Sequence, residues 1–322
     1  MAEYKIGSKG EEVIRIQEQL NKKGLYLGPL DGIFGGGTEA AVKQFQKMKR
    51  LGVDGVVGPV TWKAFFAEDM SEPSILSRPL DYKTVALSGS FETGKGIPDC
   101  FAGLSGDFDG QGISFGVLQW NFGQDSLQPL LKDMIARHPK VIRGIFQADY
   151  DVLVKALDAD KQELMTFSRS IQDPVKHFLY EPWRGMLKAL GRTEEFQDIQ
   201  VRYASRLYKA ALKLCSEYGL WSQRAAALMF DIKVQNGSIS DFVKTRIFSE
   251  FKRLETDLGD EAIEVQKMRI IANRRAEAAN PRWIEDVRAR KLCCANGGGV
   301  VHGINFDLGG QFGIGLVRFD NA

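Results

Sequence analysis

Several features that would signal a particular class of protein are scarce in this chain of 322 residues. It has four cysteines and three histidines, and no cysteine has the spacing of a zinc site, so we predict free thiols, no metal and no cofactor. No apolar run is long enough to span a bilayer, and no apolar segment follows a basic start, which predicts cytoplasmic synthesis without membrane insertion. The formal net charge of +2 gives no electrostatic reason to expect a nucleic-acid partner. We expect a monomer.

What is present indicates a mainly α protein of two parts. A hydrophobic content of 44% and a charged content of 26% are typical of globular proteins. Residues 71–79, SEPSILSRP, are polar and contain two prolines, which is typical of a short, stiff linker. We therefore predict a small domain over residues 1–68, a linker over residues 69–79 and a larger domain over residues 80–322.

The first part combines helical periodicity with a short internal repeat. Apolar spacing predicts helices over residues 10–24, 38–50 and 59–66. The strings DGIFG and DGVVG, which begin at Asp31 and Asp54, each precede one of the later helices. In such turns Asp caps the backbone and Gly supplies a positive φ, so the repeat predicts two equivalent turns.

As a whole, residues 1–68 resemble the type 1 peptidoglycan-binding domain. The pattern is G-x-x-V-x-x-x-Q-x-x-L, then G-x-x-D-G-x-F-G-x-x-T-x-x-A-V-x-x-F-Q, then V-D-G-x-V-G-x-x-T-W. The resemblance implies a three-helix module that holds bacterial peptidoglycan in a shallow groove. It makes Asp31, Phe34, Asp54 and Trp62 the candidate wall-binding residues, although all four can equally serve the fold alone.

The second part opens with two carboxylates in contrasting settings. Glu92 follows the apolar run of residues 85–87, and Asp109 lies in an Asp-Gly-Gln-Gly turn before an alternating, aromatic run over residues 113–122 that predicts a hairpin. Desolvation favours the protonated form of a carboxyl group, as a general acid requires, whereas a solvated carboxylate can activate water. A surface glutamate beside an ordinary Asp-Gly turn is the alternative interpretation.

This segment is similar to the lysozyme superfamily, and particularly to its chitosanase-like branch. In that branch a catalytic Glu ends a helix and D-G-x-G follows on a hairpin about eighteen residues later. The resemblance implies a lysozyme-like α+β domain with one small β-hairpin, with Glu92 as general acid and Asp109 as water-activating base. Inverting enzymes hold such carboxyl groups about 6.5–9.5 Å apart. Asp107 would share a strand face with Asp109, so periodicity leaves both open as the second carboxylate.

Four further residues are candidates for contact with the substrate. Gln119 and Asn121 carry amides that suit sugar N-acetyl or hydroxyl groups, or that tie down a loop. Trp120 can stack on a sugar face or cover a core. Asp231 resembles a substrate-side residue of the chitosanase branch, with a helix-surface aspartate as the alternative.

The rest of the larger domain is predicted to be helical. The predicted helices cover residues 126–138, 173–191, 194–218, 222–235, 240–258 and 260–279. The glycine-rich residues 297–315 lack the strand and helix of a phosphate-binding loop, and we expect an extended tail packed on this domain.

The two resemblances together predict a wall-degrading enzyme. A module that binds peptidoglycan raises the local substrate concentration for its partner, which favours cleavage between N-acetylmuramic acid and N-acetylglucosamine over cleavage of chitosan. The order of the domains resembles endolysins of phages of Gram-negative hosts, which stay in the host cytoplasm until lysis. A lytic transglycosylase, a chitosanase-type hydrolase and a non-catalytic wall-binding or tail protein remain as alternatives.

Overall fold

The computed structural model describes residues 3–70, 74–254 and 259–319. Contacts divide the chain into two compact units, one formed by residues 1–96 and 207–322 and the other by residues 97–206. The prediction of a mainly α chain with a small β-hairpin is confirmed, and the described residues contain a second, unpredicted antiparallel hairpin. The predicted domain boundaries stay a prediction, and residues 71–73 of the predicted linker lie outside the described residues.

The N-terminal module has the three predicted helices: α1 (Glu11–Lys22), α2 (Gly36–Met48) and α3 (Pro59–Phe66). Their apolar faces enclose a core of their own that includes Val13, Phe45 and Trp62. The second helix begins at Gly36 and not at the predicted start, Thr38, whose buried hydroxyl accepts a hydrogen bond from Gln17.

Helices dominate the remainder of the described chain. In chain order they are α4 (Ser74–Ser77), α5 (Leu80–Thr93), α6 (Leu127–Arg137), α7 (Pro139–Phe146), α8 (Tyr150–Asp158), α9 (Lys161–Ser170), α10 (Trp183–Arg192), α11 (Glu194–Glu217), α12 (Gln223–Asn236), α13 (Asp241–Phe251), α14 (Asp260–Glu277), α15 (Ile284–Asn296) and α16 (Leu308–Phe312). The predictions for α6, α11, α12, α13 and α14 are confirmed to within a few residues, except that residues 255–258 of the fifth predicted helix lie outside the described residues.

The second unit packs its helices against a small sheet. Strands β1 (Leu104–Ser105), β2 (Ser114–Phe115) and β3 (Trp120–Asn121) form an antiparallel meander in that order. Phe115 and Phe122 belong to the unit's buried core, and the ring of Phe115 stacks on that of Phe196 at 5.4 Å. The hairpin predicted over residues 113–122 is therefore confirmed.

In the first unit, α12 is the central helix of the region outside the N-terminal module. Residues 225–232 are buried without interruption, because α12 packs against both α5 and α15. All four cysteines are buried free thiols.

Two segments differ from their predictions. Residues 173–182 form turns, since the Asp173 carboxylate accepts from the N–H groups of Val175 and Lys176, and the helix begins only at Trp183. The glycine-rich tail forms an antiparallel hairpin of β4 (Gly298–Val301) and β5 (Ile304–Asp307), followed by α16.

No helix in the described ranges combines the length and apolar character that crossing a membrane requires. Likewise, the described side chains include no group of three or more His, Cys, Asp or Glu placed to hold a metal ion.

Candidate active site

Glu92 lies in the last turn of α5, at the end of a buried helix. Gly94 terminates this helix in the left-handed conformation (φ 67°), and its N–H donates to the Ser90 carbonyl at 2.9 Å. Phe91 is buried, whereas the Glu92 side chain is 43% exposed. The helix therefore fixes the backbone in the interior and presents the carboxylate at the surface.

The Glu92 carboxylate is held by a buried arginine. Arg290 of α15, whose side chain is 2% exposed, donates from Nη1 to Glu92 Oε1. The guanidinium carbon also lies 5.4 Å from the centre of the Phe91 ring, within range of a cation–π contact. The prediction of an apolar, desolvated setting for Glu92 is thus wrong, because its side chain is 43% exposed and paired with a guanidinium.

Behind Arg290 lies a second, fully buried carboxylate. Arg290 Nη2 donates to Asp231 Oδ1 at 2.5 Å, and Lys291 Nζ donates to Asp231 Oδ2. Burial alone raises the pKa of Asp231, but the charges of Arg290 and Lys291 outweigh it and lower that pKa to about 2. Burial lowers the pKa of Lys291, which the Asp231 charge opposes. Asp231 is therefore neither a surface residue nor placed to touch a substrate, because the interior encloses it and both oxygens bind cations.

The network returns to the Glu92 helix through four more contacts. Lys291 donates to Gln235 Oε1 at 2.6 Å, and Gln235 donates to Asp286 Oδ2 at 2.9 Å. Asp286 Oδ1 bonds to His302 Nε2, and His302 Nδ1 lies 3.1 Å from the carbonyl oxygen of Phe91. The polar groups thus form a closed ring that begins and ends next to Glu92.

Sequence reasoning missed Arg290 and Lys291. They could have been recognised by their spacing, because in α15 both cations lie on the same buried side as Val287 and Cys294. A basic pair on an apolar face is buried only when anions lie opposite, and the sequence does not show that Asp231 is that anion.

Asp109 and Asp107 lie in the loop between β1 and β2 in the second unit, not on a strand. Asp109 is exposed, and its Oδ1 accepts a hydrogen bond within the turn, from the Gln111 N–H at 3.1 Å. The Asp107 side chain is 8% exposed; it accepts from the Gly112 N–H at 2.8 Å and pairs with Arg169 at 3.2 Å. Asp107 is engaged in building the loop, so Asp109 is the better placed of the two to act on a substrate.

The predicted amide contacts on the hairpin are used within the protein. Gln119 accepts from the Ser105 hydroxyl at 3.0 Å and donates to the Gly116 carbonyl at 2.9 Å. Asn121 is buried and its Oδ1 accepts from the Gln124 N–H at 2.8 Å. Trp120 packs on the core of the second unit. These contacts are those of the loop-forming alternative, and substrate contact by the three residues stays a prediction.

In the N-terminal module, the internal repeat is organised by two buried glutamines. Gln17 donates to Asp31 at 2.9 Å and accepts from the Gly32 N–H at 2.9 Å. Gln46 repeats the arrangement, donating to Asp54 at 2.7 Å and accepting from the Gly55 N–H at 2.9 Å. The aspartates therefore have fold roles.

The two aromatic wall-binding candidates lie in the interior of the module. Phe34 and Trp62 are almost fully buried. Arg15 lies over the Trp62 ring, 5.1 Å from its centre. For these two residues the structure shows the fold-only alternative, because neither ring is open to a ligand.

The module also contacts the helix that carries Glu92. Lys9 donates from Nζ to the Gly94 carbonyl at 2.5 Å, at the C-terminal end of α5. The same ammonium lies 5.6 Å from the centre of the Phe306 ring in β5. Phe306 in turn meets Phe91 edge-on at 4.9 Å. A residue of the module is thus part of the surroundings of the candidate catalytic helix.

Comparison with known proteins finds similarity in the N-terminal module. Residues 9–65 match the family described as "Putative peptidoglycan binding domain". The spore cortex-lytic enzyme of Bacillus cereus is 46% identical over 55 residues, which cover 17% of this chain and 21% of that protein. The enzyme of the same name from Bacillus subtilis (strain 168) is 43% identical over 56 residues, or 17% and 18% of the two chains. The chain therefore matches about a fifth of the length of these curated relatives.

Solved structures resemble a larger part of the chain at low identity. A chitosanase complex covers 72% of this chain and 98% of its own, with 16% identity and a TM-score of 0.43. Native chitosanase from Bacillus subtilis MY002 covers 71% and 98%, with 15% identity and a TM-score of 0.42.

Proposed function

We propose that this protein is a glycoside hydrolase that binds peptidoglycan and cleaves its glycan strand, between N-acetylmuramic acid and N-acetylglucosamine. The observation that carries the proposal is the pairing of two features in one compact unit. A module matching a peptidoglycan-binding family contacts, through Lys9, the helix whose exposed Glu92 is held by a buried arginine. The name of the cortex-lytic relatives, which match over this module, supports the same class of substrate.

Glu92 is the proposed general acid. A glycosidic oxygen leaves more readily when a carboxyl group protonates it, and this step typically contributes 10²–10⁴-fold in rate. Arg290 donates to Glu92 through one nitrogen and to the buried Asp231 through the other, so the interior anchors the guanidinium that orients Glu92. The exposed part of the Glu92 side chain is accessible to a glycan.

Asp109 is the proposed second carboxylate. An exposed, ionised carboxylate can take a proton from water as that water attacks the anomeric carbon. This division of roles predicts inversion of the anomeric configuration.

The proposed substrate is combined here with a proposed biological setting. Peptidoglycan lies outside the cytoplasm, and we propose an endolysin that waits in a host bacterial cytoplasm until a phage-encoded pore admits it to the wall. We further propose that it acts as a monomer, without nucleic acid and without membrane insertion.

A lysis assay tests the proposal. Wild-type protein should clear a suspension of outer-membrane-permeabilised Gram-negative cells, and the Glu92→Gln variant should leave it turbid while still sedimenting with purified sacculi. If the wild type sediments with sacculi but never clears the cells, the non-catalytic alternative is correct.

A further inference from the structure

An open cavity in the second unit adjoins the loop that carries Asp109. Its volume is about 590 Å³, and it is lined by Gly110 and Gln111 of that loop and by one face of α9. That face is formed by Gln162, Thr166 and Arg169, which follow one another at the four- and three-residue spacings of neighbours on a helix, together with Lys161 and Met165. The cavity therefore begins one residue beyond Asp109.

The charge of the described lining has one sign. Lys161 and Arg169 contribute two cations, and no carboxylate lines the cavity among the described residues. Gln111, Gln162 and Thr166 add neutral groups that can both donate and accept hydrogen bonds. Such a lining suits a hydroxyl-rich ligand that also carries negative charge.

Both cations keep capacity to bind a ligand. Lys161 is 55% exposed and contacts Asp125 at 2.8 Å, and Arg169 is 59% exposed and contacts Asp107 through Nε at 3.2 Å. An ammonium has three donors and a guanidinium five, so each can retain its carboxylate and bind a second one. The pair with Asp107 also holds Arg169 against the loop that precedes Asp109.

We propose that this cavity is a subsite for the carboxylates of peptidoglycan, borne by the lactyl group of N-acetylmuramic acid or by the peptide stem. The inference rests on the proposed function and specifies its substrate: an anionic glycan is attracted, whereas chitosan, a polycation, is repelled by the same lining. It also assigns to Lys161 and Arg169 a role in selecting the substrate, separate from the chemistry at Glu92.

Binding to the full-length chain tests the subsite without turnover. Lys161→Gln and Arg169→Gln are made in a Glu92→Gln background, and dissociation constants for short glycan strands are measured by calorimetry. Three probes are used: strands with peptide stems, amidase-treated strands that keep only lactyl carboxylates, and strands whose carboxylates have been amidated. The proposed glycan-binding site of the N-terminal module is unchanged in every variant, so differences in affinity report on the cavity.

Each neutralisation should weaken binding of the carboxylate-bearing strands about threefold, and the double variant about tenfold, with no change for the amidated strands. A loss confined to stem-bearing strands identifies the stem carboxylates as the ligand; a loss with both identifies the lactyl group. Equal affinities in all variants, or equal losses with the amidated strands, overturn the proposal.

Two exposed, ion-paired cations of the same unit serve as matched controls. Lys132 contacts Asp158 at 3.0 Å and Arg184 contacts Glu181 at 2.6 Å, and both lie outside the cavity lining. Their glutamine variants should bind all three probes as the parent does. Because Lys161 pairs with an exposed aspartate, Lys161→Gln remains informative even if Arg169→Gln loosens the loop. If the wild type degrades sacculi but Lys161→Gln and Arg169→Gln bind all three probes as the parent does, the subsite proposal is wrong and the proposed function stands.

Discussion

Arg290 joins an exposed carboxylate to the interior, because one guanidinium nitrogen donates to Glu92 and the other donates to the buried Asp231. The position of the candidate general acid is therefore set by an ion pair below the surface. Burying charges is expensive unless each is paired, and here two carboxylates face two cations. The arrangement makes Arg290 and Asp231 positioning residues for Glu92.

Two substitutions of Arg290 should distinguish its effect on protein stability from its effect on the position of Glu92. Arg290→Ala leaves Asp231 with one partner fewer, and loss of a partner from a buried pair typically costs about 3–5 kcal/mol of unfolding free energy. Arg290→Lys keeps the charge but loses the fork that reaches both carboxylates, so we expect a smaller stability loss and a kcat lower by about tenfold. Urea unfolding and turnover of soluble glycan measure the two effects.

Arg288, on the same helix, gives the control for this pair. It is 29% exposed and contacts Glu285, so Arg288→Ala should change neither quantity appreciably. An Arg290→Lys variant with wild-type kcat would show that the guanidinium fork does not position Glu92.

Asp231 should also determine how the protein responds to acid. Its pKa is about 2 in the folded state, below the ordinary value of 3.8. The folded state thus binds this proton less readily, so the stabilisation is complete above about pH 4 and is lost as the pH falls toward about 2. The shift corresponds to roughly 2 kcal/mol. We expect the unfolding free energy of Asp231→Asn to fall less between pH 4 and pH 2 than that of the wild type.

The exposed Asp260 provides the comparison for this titration. Asp260→Asn should retain the wild-type slope of unfolding free energy against pH over the same interval. Identical slopes for wild type and Asp231→Asn would remove Asp231 as the source of acid sensitivity.

Substitution of Asp109 and substitution of Asp107 should have different effects on activity and stability. Asp109→Asn should lower activity by about 10²-fold or more at unchanged stability, since its carboxylate is exposed and makes a turn contact. Asp107→Asn should lower unfolding free energy by about 1–3 kcal/mol, because the Asp107 carboxylate is nearly buried and satisfies the Gly112 N–H. Lysis rates compare the two variants in activity, and urea unfolding compares them in stability. A larger loss of activity in Asp107→Asn than in Asp109→Asn would transfer the catalytic role to Asp107.

Lys9 should affect turnover and not only attachment to the wall. Its ammonium binds the carbonyl of Gly94 at the C-terminal end of α5, where a positive charge stabilises a helix. On soluble glycan fragments, Lys9→Ala should lower kcat about two- to fivefold, and Lys9→Arg should restore part of the loss. Lys63→Ala, which removes an exposed contact between the module and Asp69 just beyond it, should leave kcat unchanged. If Lys9→Ala alters only sedimentation with sacculi, the module acts purely as an anchor.

Local patterns predicted the three helices of the N-terminal module and five of the later helices, and they were least accurate where tertiary contacts decide the structure. The helix α11, for example, follows from a long apolar stripe in the sequence. The start of α10 was wrong because Asp173 can cap a turn as well as a helix, and its carboxylate closes the turn over Val175 and Lys176.

The candidate site was predicted in part. Glu92 and the loop of Asp109 stand out by their glycine-rich context, but the surroundings of Glu92 come from Arg290, which is 198 positions away in the chain. Asp231 was misplaced for the same reason, since a carboxylate on a helix looks like a surface residue until its cations are known. Pairing of buried charges is a tertiary property that no local period encodes.

The most direct test of a hydrolase is the chemistry of its product. Purified sacculi are digested in water enriched in oxygen-18, and the soluble fragments are analysed by mass spectrometry for wild type and Glu92→Gln. Wild type should release fragments with a reducing-end sugar that carries one heavy oxygen, and Glu92→Gln should release at least about 10²-fold less. Fragments ending in a 1,6-anhydro sugar without heavy oxygen would show a lytic transglycosylase, and undiminished release by Glu92→Gln would remove Glu92 from the role of general acid.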